Sequence, residues 1–227
     1  MNKNIKIEWA VGIILLISVI VGGSIWLGDH KPQTGWQYIV SFSGQGQSAA
    51  DAASRTVFLG DSITALENWN TLLGDTHIKN AGVSGNTTDD VLARLSVAIS
   101  AKPHKLFLMI GINDFIRGQD VAYVAANYDL VVNKIKVESP ETIIYIQSIL
   151  PVNNTISRYG KVDSQKIIAL NAKLKSLAVG KNIFFVDLYP YFCGEDNQLY
   201  TKYTADGLHL NSHGYAVWRD LITPYLQ

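Results

Sequence analysis

Val57-Phe58-Leu59-Gly60-Asp61-Ser62-Ile63-Thr64 is the stretch on which the fold turns. An apolar run stops at Gly-Asp-Ser, and the next residues, Ala65-Leu66-Glu67-Asn68-Trp69-Asn70-Thr71-Leu72-Leu73, carry apolar side chains at helical spacing. The pattern predicts a strand feeding a helix, with Ser62 at the strand's carboxyl end. In an open α/β sheet that edge is where ligands bind, because the loops leaving the strand tips form a crevice of side chains and helix N-terminal N–H groups. Ser62 is then either a nucleophile or a turn residue, with Ser62 or Thr64 capping the helix. The tripeptide alone does not separate the two; the rest of the chain does.

Outward toward the C-terminus, strand-like runs at 56–59, 77–81, 105–110, 142–150 and 182–188 alternate with helical patterns at 88–102, 120–138, 163–179 and 212–226. Asp89 and Asp90 fall in the first turn of the helix at 88–102, where carboxylates complement the exposed N–H groups. Helices between strands demand right-handed crossovers, and these build a parallel sheet covered on both faces. The expectation is a three-layer α/β/α sandwich with a five-stranded parallel sheet over residues 55–227. No unit repeats within it.

Outward toward the N-terminus, residues 29–54 are rich in Gly, Gln, Ser, Asp and Ala and read as a flexible linker. The segment Trp36-Gln37-Tyr38-Ile39-Val40-Ser41-Phe42 interrupts it, as a short strand or as a piece packed on the domain surface. Before it, residues 9–28 carry no charge and are about as long as a bilayer-spanning helix requires. Lys3 and Lys6 place the preceding end in the cytoplasm, and Trp9 and Trp26 suit the two interfaces. Residues 1–28 are thus expected to be a signal anchor that contacts the membrane and sets the domain outside the cytoplasm. The alternative is a signal peptide cleaved near Gly22-Gly23-Ser24, which would release it.

Lysine plus arginine and aspartate plus glutamate each number 19, so no net field draws the chain to nucleic acid. Cys193 is the only cysteine, which excludes an internal disulfide and a cysteine metal cluster and leaves it a packing role.

The other strand ends carry the chemistry. The second leads into Asn80-Ala81-Gly82-Val83-Ser84-Gly85-Asn86-Thr87-Thr88, a glycine-rich turn whose N–H groups can face the crevice. The third leads into Gly111-Ile112-Asn113-Asp114, which offers the Asn113 carboxamide as a donor. Asp206-Gly207-Leu208-His209 brings a carboxylate and an imidazole together ahead of the last helix. Acyl transfer needs these parts: a nucleophile, a base, a carboxylate to orient the base, and donors for the oxyanion.

These four blocks, Gly60-Asp61-Ser62, Gly82, Gly111-Ile112-Asn113-Asp114 and Asp206-Gly207-Leu208-His209, resemble in order and separation the SGNH/GDSL hydrolases, a family of esterases and lipases. Ile63 stands where the eponymous motif has leucine. The wording Gly-Asp-Ser-Ile-Thr and Gly-Val-Ser-Gly-Asn-Thr-Thr is similar to the branch of bacterial acylhydrolases, platelet-activating-factor acetylhydrolase-like proteins and carbohydrate acetylesterases. The resemblance implies a flavodoxin-like sheet, a catalytic set of Ser62, His209 and Asp206, and an oxyanion hole made by the Ser62 and Gly82 N–H groups and the Asn113 side chain. It implies neither metal nor organic cofactor.

The remaining polar residues have plainer readings. His209 and His213 are four apart, the spacing of a helical zinc pair, but no glutamate follows His209 and no third ligand is evident. Ser212 reads as the cap of the last helix, with His213 in its first turn. His77 and His104 fall at strand entrances, away from the crevice. Asp61 reads as a structural residue bonded to loop backbone. The turn at 82–86 lacks the Gly-Lys-Ser/Thr ending of a phosphate-binding loop. The loops at 151–160 and 189–203 are expected to shape the pocket.

The expected activity is hydrolysis of short-acyl esters, acetyl groups on carbohydrate or envelope material, since no lid-like apolar segment is added to the core. The alternative substrates are lysophospholipids or thioesters. A catalytically silent envelope-binding domain is the alternative from another class.

Overall fold

The structure, a computed structural model, describes residues 55–227. The expected membrane-spanning helix at 1–28 and linker at 29–54 lie outside the described residues, and among those described no helix is long and apolar enough to cross a membrane.

Five strands, β1 (Thr56–Gly60), β2 (Ile78–Gly82), β3 (Lys105–Met109), β4 (Ile143–Gln147) and β5 (Ile183–Val186), pair in the order β2-β1-β3-β4-β5. Every pairing is parallel. The central strands β1 and β3 bury all their residues, which is why 57–59 and 106–109 read as unbroken apolar runs rather than alternating ones. From β1 the chain steps outward to β2 and then returns past β1 to β3. Connections therefore diverge at the carboxyl ends of β1 and β3, and a crevice opens there.

Among the described residues seven α-helices complete the layers: α1 (Ser62–Ala65), α2 (Trp69–Leu73), α3 (Thr88–Ala98), α4 (Ile112–Ile116), α5 (Val121–Glu138), α6 (Ser164–Leu177) and α7 (Ser212–Ile222). One sheet face is an aromatic ladder. The register sets Phe58 beside Phe107, Phe107 beside Tyr145, and Tyr145 beside Phe184. Their rings stack with centroids 4.8, 4.7 and 5.6 Å apart. Trp69 of α2 stacks on Phe58 at 4.1 Å, and Trp218 of α7 meets Trp69 edge-on at 4.9 Å. Each such pair adds about 0.5–1.5 kcal/mol beyond the area it buries. The other face is covered by the apolar stripes of α3 (Val91, Leu95), α5 (Val124, Val131, Ile135) and α6 (Ile167, Leu170, Leu174). The three layers are those the alternation predicts.

The differences are local. The single helix expected at 65–73 is two, because the Asn68 side chain accepts from Thr71 N at 3.1 Å and restarts the chain as α2. The Trp69 indole, buried beneath the break, donates to Thr64 O at 2.9 Å. The helix expected to reach residue 102 ends at Ala98, and Lys102 takes a left-handed φ of 51° just before Pro103. The run at 142–150 is strand only to Gln147. Beyond it the buried backbone is held by side chains, Asn171 bonding both the N–H and the carbonyl of Ile149. The last helix stops at Ile222, before a 3-10 turn, Thr223–Tyr225, that contains Pro224. Cys193 is buried, as a packing residue should be.

Candidate active site

The Gly60-Asp61-Ser62 turn is fixed by close packing. A Cβ on Gly60 would lie 2.4 Å from Met109 O and 2.3 Å from Thr64 Oγ1, so only glycine lets β1 end against β3. Asp61, rather than Ser62 or Thr64, caps α1: its Oδ1 accepts from Ile63 N at 2.9 Å. Burial and, beyond the opposing Ile63 N–H, the negative charge of Asp114 push the Asp61 carboxyl up to about 7. Ser62 thus becomes the first residue of a helix, 8% exposed, its side chain turned to the crevice.

An imidazole arrives from the far end of the chain. His209 Nε2 stands 2.9 Å from Ser62 Oγ, and His209 Nδ1 stands 2.8 Å from Asp206 Oδ2. The carboxylate as acceptor fixes the proton on Nδ1, which leaves Nε2 free to accept the serine proton. Asp206 is itself locked, because its Oδ1 accepts from Leu208 N at 3.0 Å and His209 N at 2.9 Å. Burial alone would raise its carboxyl, but the bonds from the His209 ring and the two N–H groups outweigh that and hold it down at about 2. Gly207 between them has φ +84°, and a Cβ there would meet Asn153 O at 2.7 Å, so the glycine also admits the loop at 153–157.

Among the three groups expected to form an oxyanion hole, one is placed otherwise. Gly82 does not offer its N–H to the crevice: that N–H donates to Asn80 Oδ1 at 2.9 Å. Gly82 is glycine for another reason, since a Cβ there would be 2.4 Å from Ala65 N and would drive α1 off the sheet. The crevice wall is built two and three residues further on, by Ser84 and Gly85. Asn113, in the first turn of the unexpected helix α4, does line the crevice, and its Nδ2 donates to Asn86 O at 2.9 Å. Sequence reading noted Gly85 within the same motif but had no signal to prefer it.

Asp114 ties two helices together. Buried, it accepts from Thr88 N at 3.2 and 3.0 Å and from Thr88 Oγ1 at 2.5 Å, tying α4 to the start of α3. Burial raises its carboxyl despite those bonds. The crevice encloses about 500 Å³, with Ser62, Asn113 and His209 on its floor and Leu66 and Tyr159 on its walls. Tyr159, from the loop expected to shape the pocket, meets the His209 ring edge-on at 4.9 Å. His213 is exposed at the start of α7, where Asn211 rather than Ser212 is the cap. His77 and His104 are exposed at the opposite sheet edge.

A parallel sheet with a serine–imidazole–carboxylate line at its switch point defines a hydrolase of the three-layer α/β class. The chain belongs to the GDSL-like Lipase/Acylhydrolase family, whose model matches residues 58–217. It is 27% identical over 203 residues to the platelet-activating factor acetylhydrolase IB subunit alpha2 of Rattus norvegicus, covering 87% of this chain and 81% of that one. It is 28% identical over 193 residues to thioesterase 1/protease 1/lysophospholipase L1 of Escherichia coli, covering 78% and 86%. The crystal structure of a GDSL-like lipase from Bacteroides thetaiotaomicron superposes with a TM-score of 0.66 at 25% identity, covering 77% of this chain and 88% of that one.

Proposed function

We propose that the chain is a serine esterase that hydrolyses carboxylic esters through an acyl-enzyme on Ser62. The observation that carries this reading is the unbroken line from Ser62 Oγ through the His209 ring to Asp206, with contacts of 2.9 and 2.8 Å, at the floor of an open crevice. His209 takes the serine proton as Oγ attacks the ester carbonyl, then returns it to the leaving alcohol; water repeats the sequence to free the acid. The oxyanion is received by the Ser62 N–H, the Asn113 carboxamide and, in place of Gly82, the Gly85 N–H. No step calls for a metal or an organic cofactor.

The acyl group is short, an acetyl or similar, carried on a carbohydrate or envelope substrate. An open crevice walled by Leu66 and Tyr159, without an added lid among the described residues, supports this, as does likeness to a protein named as an acetylhydrolase. The stretch at 9–28 supports action outside the cytoplasm at a membrane. A second reading, hydrolysis of lysophospholipids or thioesters, draws on the Escherichia coli relative's name and on Leu66, 59% exposed at the crevice mouth. The test is hydrolysis of p-nitrophenyl esters of increasing chain length by the full chain, with Ser62→Ala in parallel. Activity that falls with chain length and vanishes in the variant supports the short-acyl reading. Rising activity moves the substrate to lipids, and Ser62-independent activity overturns the mechanism.

A further inference from the structure

We propose that Arg94 is a positioning residue for catalysis, joining the strand that ends at the nucleophile to the loop that aims the oxyanion donor; this rests on the esterase reading above. Arg94 lies on α3, outside the crevice lining, and is half-buried. Its Nη2 donates to Gly60 O at 3.0 Å and its Nε to Asn86 Oδ1 at 2.7 Å. Gly60 closes β1, two residues before Ser62. Asn86 is the residue whose backbone carbonyl accepts a hydrogen bond from Asn113 Nδ2 at 2.9 Å. One rigid guanidinium therefore spans both halves of the site, and Asn86 passes its position on to Asn113.

The geometry calls for arginine in particular. A planar fork presents separate N–H donors in fixed directions, whereas a lysine ammonium is a single flexible point. Gly60 O also accepts from Val83 N at 3.1 Å, so β1, the loop after β2 and α3 meet at one carbonyl. Arg117 makes a different contribution: it is exposed, and its Nη2 holds Gly85 O at 2.8 Å from the solvent side. With Asn86 released, the Asn113 carboxamide loses the acceptor that holds one of its two N–H bonds. The other, aimed at the oxyanion, is then free to swing.

The test compares Arg94→Ala, Arg94→Lys and Asn86→Ala with the wild-type chain. Arg94→Ala is expected to lower kcat roughly 10- to 100-fold, the scale of a small misplacement of catalytic groups, with KM nearly unchanged. Arg94→Lys should recover only part of the loss, and added guanidinium should recover more of it. Combined with Asn86→Ala, the loss should be less than additive, because both remove the same bond. A readout independent of turnover is the Asn113 carboxamide NMR signal, expected to shift in Arg94→Ala as its bond to Asn86 O loosens. A folded Arg94→Ala protein with wild-type kcat and an unmoved Asn113 signal overturns the proposal. If Arg94→Ala does not fold, Asn86→Ala bears the test alone, and wild-type kcat there overturns it equally. Wild-type protein without Ser62-dependent esterase activity refutes the esterase reading instead, while the Asn113 signal still decides whether Arg94 positions that side chain.

Discussion

Ser62 Oγ and His209 Nε2 stand 2.9 Å apart although 147 positions separate them in the chain. Contact over that separation depends on the sheet order, which carries the end of β1 and the loop before α7 to the same edge. The Asp206 carboxylate then orders the imidazole from a distance of three residues.

The first prediction follows from this line of contacts. Ser62→Ala and His209→Ala should each lower kcat by about 10⁶, and their combination by little more, since the residues act as a unit. Asp206→Asn should cost about 10⁴ by favouring the wrong tautomer. Asn113→Ala should cost about 10²–10³, the effect of losing one oxyanion donor. Steady-state kinetics on an activated ester measures all five variants, and additive losses at Ser62 and His209 would contradict a shared role.

The two glycines of the second block should part company. Gly82→Ala places a Cβ 2.4 Å from Ala65 N and should lower thermal stability sharply. Gly85→Ala has room, its nearest neighbour being Arg117 Nη2 at 4.0 Å, but must hold φ +78° and should cost about 1–3 kcal/mol. Its loss of kcat should exceed what unfolding explains, because this residue lines the crevice. A stable Gly82→Ala protein with abolished turnover would return the donor role to Gly82.

Asp61 sets a pH dependence of stability. Its carboxyl is raised in the folded state to about 7 from an ordinary 3.8, so the folded protein binds the extra proton between those values. Stability contributed by this group is therefore intact below about pH 4, declines as pH rises, and is lost above about pH 7, for a total on the order of 4 kcal/mol. Asp61→Asn keeps a capping side chain without the charge. Its melting temperature relative to wild type should climb from pH 4 to pH 7 and then level off. A difference that is flat with pH would rule out the raised carboxyl.

Tyr159 is 46% exposed and touches the imidazole only with its ring. Tyr159→Ala removes one aromatic contact of about 1 kcal/mol, so a several-fold change in kcat/KM is expected rather than an abolition. The change should depend on the alcohol portion of the ester if Tyr159 forms the leaving-group wall. Equal effects on a series of leaving groups would limit it to supporting His209.

Much of this protein is legible in its sequence, because the signals are periodic and local. Unbroken apolar runs at β1 and β3 are what a sheet covered on both faces requires, and helical spacing between strands forces the parallel order. Ser62, Asn113 and the Asp206–His209 pair are found because each sits at a strand end or in a loop whose chemistry its residue types announce. The fate of a single N–H is not announced in that way. Whether Gly82 or Gly85 faces the crevice depends on where Asn80 Oδ1 points, and whether residues 65–73 form one helix or two depends on the Asn68 cap holding while Trp69 sinks toward Phe58. Arg94 reads from its sequence as an ordinary helix residue until tertiary packing brings Gly60 and Asn86 to the two arms of its guanidinium. Periodicity and residue type determined the layers and the chemical parts; hydrogen bonds and close contacts between segments distant in the chain decided how those parts are aimed.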